Sequence, residues 1–502
     1  MIDGFLTASQ YMLSHPLTFV FIAVGMIWGI AFGALPGLTG VVGVALLIPF
    51  TFGFGPIEGL LLLGSVYVGS TFGGSISAIL FNTPGSPEAA CTGLDGYPLA
   101  KRGEAGKALG IALAASAIGG VFGSVVLMLA APPLARVALS FGPAEYFALA
   151  VLGITAIASI GANSVFKALL AGLMGLMIAT VGIDPLTGGS RYTFGNDMLL
   201  SGIGFIPAII GMFALSEVLV RFSERLVAGE RITKVSTTLP KVREIAAMKG
   251  TLTRSSILGT IIGVLPGVGA TTAAFMSYSE AVRWSRHPEK FGTGMPEGIA
   301  APESANNAAV GGSMVPLLAL GIPGSAATAV MIGGLTIHGI VPGPMLMVQN
   351  KELVYSVFIG MLVANLLMIF FGIKASRYFA KILDAPYALV GPGIVVLCMT
   401  GVYALRNNVM DVVVMLVFGA FGFLLRKLDY PIAPLIIGLV LGPVAEISLR
   451  RALMLSNFDW SAILTRPIAG TLLALSVVSL IYGLYGQFRR QRAARRAMLA
   501  AA

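Results

Sequence analysis

Gly33-Ala34-Leu35-Pro36-Gly37 returns later in the chain as Gly263-Val264-Leu265-Pro266-Gly267. A second phrase follows each copy. Gly73-Gly74-Ser75 leads to Pro84-Gly85-Ser86, and Gly311-Gly312-Ser313 leads to Pro323-Gly324-Ser325. The order is the same in both copies, and all four breaks lie within apolar sequence. Proline removes a backbone donor and ends a helix, while glycine lets the chain turn and approach another group closely. Paired helix breakers at corresponding positions of two apolar halves point to a secondary transporter with its site near the membrane midplane.

Composition sets the class in which that reading stands. Of 502 residues, 56% are hydrophobic and 11% are charged, with a mean hydropathy of +0.90. A soluble domain carries about 25% charged residues. Apolar runs of roughly 20 residues, long enough to span a bilayer, recur at 60–80, 108–130, 199–220, 354–371 and 471–484. Hydropathy predicts about 12 spans. The chain therefore reads as an all-α polytopic membrane protein with two inverted-topology repeats, broken helices and re-entrant hairpins. The 64 glycines and 27 prolines suit helices whose freed backbone groups face protein or a watery cavity. Residues 1–15 contain no Lys or Arg, unlike the basic start of a cleavable signal. Cys91 and Cys398 form no disulfide framework and read as small packing residues.

Loop charge predicts the topology. The stretch 221–254 is basic, with Arg221, Arg225, Arg231, Lys234, Lys241, Arg243, Lys249 and Arg254. The tail carries Arg489, Arg490, Arg492, Arg495 and Arg496. Both are expected to be cytoplasmic by the positive-inside rule, so the net charge of +10 belongs to membrane topology and not to nucleic-acid binding. Between the first and second phrases, residues 50–59 carry no Lys or Arg, whereas Lys101, Arg102 and Lys107 follow the second phrase. In the other half the bias reverses: Arg283, Arg286 and Lys290 lie between the phrases, and 337–350 has none. Opposite bias at matching positions predicts halves inserted in opposite orientations. Chance bias in short loops is the alternative. Lys374, Arg377, Lys381, Arg426 and Lys427 fit the scheme, and Arg450 with Arg451 fit it poorly. The predicted organisation is residues 1–220 as a first repeat, 221–254 as a linker, and 255–502 as a second repeat with an extra span.

The breaks supply the candidate substrate site. Gly37, Thr39 and Gly40 follow the first Leu-Pro-Gly, and Gly267, Gly269, Thr271 and Thr272 follow the second. A restarting helix offers free N–H groups and a positive dipole end that favour anions. The second breaks read as tips of hairpins meeting near the bilayer centre, where Asn82, Thr83, Gly85 and Ser86 face Gly321, Gly324 and Ser325. Few Lys or Arg lie there, so backbone N–H groups and hydroxyls are expected to hold a carboxylate. Packing kinks between close helices are the bland alternative, and the matched duplication argues against it.

Acidic residues beside the breaks admit two readings. Glu88 and Glu303 either carry a proton or cation within the membrane, where a carboxylate is costly and usually functional, or cap helix starts at the interface. Asn306 and Asn307 read as polar lining beside Glu303. Arg191, in the turn-rich stretch 184–195, is a candidate contact for an anion or partner protein. An ion pair with Asp184 or Asp197 is its preferred structural role. His15, His287 and His338 show no metal spacing, and there is no Walker phrase, Gly-x-Ser-x-Gly or His-Glu-x-x-His. No enzyme, cofactor or ATP chemistry is expected, and the energy should come from a Na⁺ or H⁺ gradient. A membrane enzyme acting on lipid-linked substrates would instead cluster acids or histidines at one membrane face.

Gly33-Ala34-Leu35-Pro36-Gly37-Leu38-Thr39-Gly40, the Asn82–Pro87 tip, Asp184–Gly195 and Pro296–Ala308 together resemble the large membrane subunit of tripartite tricarboxylate transporters, the TctA family. The resemblance covers about residues 10–485 of the 502. It implies a multi-pass protein of a bacterial inner membrane that works with a small membrane subunit and a periplasmic solute-binding protein. It also implies import of carboxylates such as citrate. A stand-alone carboxylate symporter is the runner-up.

Overall fold

The computed structural model describes residues 2–35, 37–160, 164–223, 238–382 and 387–501, without the side chains of 157–160, 375–382, 387–388, 489–491 and 493–501. Expectations placed on Pro36, Arg225, Arg231, Lys234, Arg377, Lys381 and the tail residues 489, 490, 495 and 496 lie outside the described residues or side chains.

The first part of the chain runs α1 (Ile2–Ser14), α2 (Leu17–Ala34), α3 (Gly40–Thr51), α4 (Pro56–Phe81), α5 (Ala89–Leu99), α6 (Ala105–Ala138), α7 (Pro143–Ile160), α8 (Val165–Ala179), α9 (Phe205–Ile210) and α10 (Ser216–Ser223). A two-residue β-hairpin, Gly182–Ile183 with Ser190–Arg191, interrupts the helices. The rest runs α11 (Val242–Ala247), α12 (Lys249–Val264), α13 (Gly269–Trp284), α14 (Pro296–Leu320), α15 (Ala326–Ile337), α16 (Pro344–Gln349), α17 (Lys351–Ile382), α18 (Tyr387–Arg406), α19 (Val409–Lys427), α20 (Ile432–Leu455), α21 (Ser461–Leu464) and α22 (Pro467–Ala501).

Among the described residues, nine helices are long and apolar enough to cross a membrane, and four shorter apolar helices accompany them. The protein is an all-α polytopic membrane protein. The difference from about 12 expected spans has a physical source. α3 and α15 are only 12 residues each, too short to cross alone. α14 has 25 residues, about 37 Å of helix, but its Pro, Glu and Asn residues hold its hydropathy down. α12 starts at Lys249.

α4 and α14 form the centre, buried from Gly59 to Leu80 and from Gly298 to Ala319. Glycines let their neighbours approach to backbone contact. A methyl on Gly25, Gly29 or Gly33 of α2 would overlap the carbonyls of Leu62, Val66 and Ser70 of α4 in turn, so α2 and α4 run parallel. A methyl on Gly259 or Gly263 of α12 would likewise overlap the carbonyls of Ala305 and Ala309, so α12 runs parallel to α14. α4 and α14 are antiparallel: Ser75 reaches Glu303, while Tyr67 meets Ser313. Across the halves, Gly119 and Gly123 of α6 pack on Ser304 and Ala308 of α14, and Gly64 of α4 packs on Met361 of α17. Two parallel sets, α2–α4–α17 and α12–α14–α6, thus oppose each other at the centre.

The first breaks are hairpins. Phe21 of α2 packs at a tilt against Phe54, just past the end of α3, at 4.6 Å between centroids, and Ser277 of α13 donates to Ser255 of α12 at 2.7 Å. Each pair of helices therefore enters and leaves on one side. The second breaks differ from the hairpin tips expected from sequence. The chain folds back from Phe81, so that Gly85 N–H donates to Gly74 O at 3.3 Å. Gly93 and Gly96 then lie beside Ala78 and Ile79. α5 runs on in the direction of α4 as an overlapping, broken helix. α14 and α15 repeat the design, with Gly324 returning to the level of Ser313.

Candidate functional site

The two Leu-Pro-Gly breaks adopt the same backbone. Leu35 leaves its helix at φ −75°, ψ 116° and Leu265 at φ −73°, ψ 121°. Gly37 and Gly267 then turn at φ +86° and +74°, a region open to glycine and strained for other residues. The helix ends before the folds match too. α4 stops in a left-handed Asn82 (φ 52°) and α14 in a left-handed Gly321 (φ 76°), the usual C-terminal termination.

Each fold seats against the Leu-Pro-Gly break of its own half. Gly85 lies on the Gly33 carbonyl so closely that no Cβ could fit. Gly324 lies on Gly263, and its carbonyl accepts from Gly267 N–H at 2.9 Å. The tip glycines were expected to admit a ligand; here they admit another strand of backbone. The two tips do not meet, because they lie against different levels of α4. Ser86 sits at Gly74, and Ser325 bonds Tyr67 at 3.0 Å. Seven residues separate those levels (74 − 67), about 10 Å of helix.

Their outer faces open to opposite ends. Asn82 is exposed, Thr83 is half-buried and bonds the Phe81 carbonyl, and Gly85 and Ser86 are buried. Gly321 lines a cavity of about 350 Å³ with Tyr146, Pro342, Gln349 and Asn350, at the end of the bundle that carries Arg191. Ser325 caps α15 by accepting from Thr328 N–H at 3.2 Å.

Glu303 occupies the centre, fully buried in α14. Its carboxylate accepts from the hydroxyls of Ser75 on α4, Thr92 on α5 and Ser116 on α6, the last at 2.7 Å. Asn306 adds an amide N–H at 3.4 Å. Asn307 donates to the Glu303 carbonyl at 3.1 Å and to Asn306 at 2.8 Å, and its own Oδ1 is buried without a partner among the described residues. Glu303 lies seven residues past the start of α14 (303 − 296), so it does not cap the helix. Four helices converge on one carboxylate through neutral donors, which can serve a proton or a dehydrated cation equally. Glu88 is half-buried and lies 3.5 Å from the Thr271 hydroxyl, which joins the first fold to the second Leu-Pro-Gly break. Among the described residues, Thr272 makes no side-chain hydrogen bond, and Gly269 (φ +70°) faces open space.

Arg191 is held within the chain. Its guanidinium pairs with Glu446 at 2.5 Å and lies 3.9 Å from Asp184. Arg450 bonds both Asp184 oxygens, at 2.7 and 2.9 Å, and Glu446 at 3.3 Å. The expected ion pair with Asp184 is present, and Glu446, which the sequence did not suggest, is the shorter partner. The same network accounts for Arg450 at an end that loop charge made unfavourable for it: two acids neutralise two arginines.

Sequence reasoning missed several groups. Ser75 and Ser313 stand in the repeated Gly-Gly-Ser phrase, and each bonds a residue of the other half, Glu303 and Tyr67. The repeat itself was the available signal. Arg221 was read as a linker charge, yet its guanidinium lies against Gly37. This puts one fixed cation at the first break, where few Lys or Arg were expected, and no local pattern signals it.

Matched breaks around a buried carboxylate, in a bundle of apolar helices, define a membrane transport protein. Residues 19–437 match the tripartite tricarboxylate transporter TctA family, and the chain belongs to it. It is 40% identical over 480 residues to an uncharacterised 52.8 kDa protein in the TAR-I ttuC′ 3′ region of Agrobacterium vitis, covering 95% of each chain. It is 39% identical over 234 residues to an uncharacterised protein in the TAR-II ttuC′ 3′ region of the same organism, covering 47% of this chain and 97% of that one. No solved structure matches it.

Proposed function

We propose that the protein is the large transmembrane subunit of a binding-protein-dependent importer that uses an ion gradient to move tricarboxylates or related carboxylates. In this reading its two halves are inverted repeats in a bacterial inner membrane, with the basic linker and C-terminus cytoplasmic. A small membrane subunit and a periplasmic solute-binding protein complete the system. Family membership supports the cargo class and the partners. The observation that carries the coupling is Glu303, where hydroxyls from α4, α5 and α6 converge on one carboxylate between the halves. A carboxylate so placed binds a proton or Na⁺ without a permanent counter-charge, and movement of one half against the other would change its donors.

The test is uptake of labelled citrate and of labelled hydroxy-dicarboxylates into proteoliposomes holding both membrane subunits, with binding protein outside. Na⁺ and pH gradients are varied separately. Accumulation that needs the binding protein and one gradient is expected. Glu303→Gln should lose uphill accumulation while the protein still inserts. Gradient-independent uptake, or full accumulation by the Gln variant, would overturn the reading.

A further inference from the structure

We infer that Arg221 is a carboxylate-binding residue at the first Leu-Pro-Gly break, and that Glu217 is a built-in competitor for it. The inference rests on the transport of carboxylates proposed above.

Arg221 lies in the last turn of α10, with its side chain 18% exposed. It crosses to the α2–α3 hairpin, where its guanidinium covers Gly37 so closely that a Cβ there would overlap Nε and Cζ. Glycine at 37 is thus required twice, by its φ of +86° and by the arginine above it. The guanidinium donates from Nε to Glu217 Oε1 at 3.2 Å. The other oxygen of Glu217 takes Arg426 of α19. Glu217 is 7% exposed, so one buried carboxylate is shared by two guanidiniums. Among the described residues, the cluster keeps an excess of one positive charge (two arginines less one glutamate), and Arg426 Nε is buried with no acceptor. Thr39, two residues beyond Gly37, makes no capping hydrogen bond at the start of α3.

An anion reaching this break meets an arginine already holding a carboxylate. Guanidinium presents a fork of N–H groups that suits a second carboxylate or an exchange of one for another. Among the described residues, Arg221 bonds only through Nε, to Glu217, which leaves its terminal nitrogens for cargo. When the cargo leaves, Glu217 takes the charge back, so the site does not become a trap. Arg426 holds Glu217 in place throughout. A purely structural role would instead make the three residues a tie between α10 and α19.

The test separates these roles through KM, which does not depend on how much folded protein a preparation contains. The probe is labelled citrate in the full reconstituted system. Arg221→Gln should raise KM about tenfold or more, as expected for loss of a charged hydrogen bond. Arg221→Lys should recover part of it. Glu217→Gln should lower KM and slow turnover, because release loses its competitor. Unchanged KM in both Gln variants, with lower thermal stability, would overturn the inference and leave a helix tie. Absence of citrate uptake by the wild-type system would instead refute the proposed cargo, and direct binding of citrate to the purified protein then decides: Arg221-dependent binding retains the inference, and none overturns it.

Discussion

Replacing Gly324 with alanine measures how tightly a fold must seat on its break. An ideal Cβ at Gly324 would stand 2.7 Å from Ser313 Cα, 2.8 Å from Gly263 O and 2.8 Å from Ser313 O. Ordinary contacts begin near 3.4 Å, so the fold must retreat by about 0.7 Å, a gap against atoms of two rigid helices. All three neighbours are backbone, and no rotamer change relieves them. Overpacking of this kind costs about 1–3 kcal/mol. Retreat also stretches the 2.9 Å bond from Gly267 N–H to Gly324 O, worth about 1 kcal/mol more. A total of about 2–4 kcal/mol disfavours the seated state by roughly 30-fold to several hundredfold. The assay is initial uptake by proteoliposomes, paired with thermal unfolding of the purified protein. Gly324→Ala should lose both activity and stability. Gly85→Ala should lose more, since the Gly33 carbonyl presses closer. Gly93→Ala is the control, because its Cβ would meet Ala78 at an ordinary 3.6 Å and gain helix propensity. Wild-type uptake and stability in Gly324→Ala would refute the seating argument.

Three further outcomes follow from particular contacts. Asp95 is buried and accepts from Gly294 N–H at 2.8 Å, Met295 N–H at 2.7 Å and Tyr278 OH at 2.8 Å; Asp95→Ala strands these donors and should destabilise by about 2–4 kcal/mol in an unfolding titration, a loss below 1 kcal/mol counting against it. The Arg450 guanidinium, then the Leu186 N–H, hold the Asp184 carboxyl well below the usual carboxylate range. A depressed folded-state pKa gives stability that is complete above the unfolded value of about 4 and fades as pH falls below it; limited proteolysis of 184–200 should show protection down to about pH 4 and loss beneath, and early loss between about pH 7 and 5 would contradict the assignment. Single cysteines at Phe54 and His287, both exposed, should react with impermeant reagent from opposite sides of the membrane, and labelling from one side would exclude inverted halves.

The class of fold was legible because composition and helix breakers act locally. The doubled Leu-Pro-Gly phrase forces a turn wherever it stands, and both copies make the same one. What followed the second phrases was not legible. Pro84 and Pro323 announce only that a helix ends; whether the chain then makes a hairpin or overlaps itself depends on Gly85 and Gly324 finding the Gly33 and Gly263 carbonyls, contacts made across the sequence. Glu303 could be picked out because a carboxylate inside an apolar run is expensive. Of its donors only Ser75 carried a signal, the repeated Gly-Gly-Ser phrase; Thr92 and Ser116 are ordinary helix hydroxyls until the fold brings their helices together. Arg191 shows the same limit, since its chief partner Glu446 lies 255 residues away.

The positions of the two folds constrain any transport cycle. Asn82 is exposed, while Gly321 lines a cavity at the Arg191 end. Between them, along α4, lie Tyr67 and Ser75, and each is bonded to α14 of the other half. A cargo passing from one fold to the other must therefore part α4 from α14 or travel with one of them. Parting them would strand Glu303 without Ser75 in a low-dielectric interior, a costly state for a charged carboxylate. Neutralising Glu303 with a proton or a bound cation removes most of that cost. Under the proposed ion-coupled import, coupling then needs no separate device: the movement that carries the cargo would be the movement that an unneutralised Glu303 resists. Glu303→Gln should accordingly free the movement from the gradient, giving exchange of labelled cargo across the membrane without accumulation.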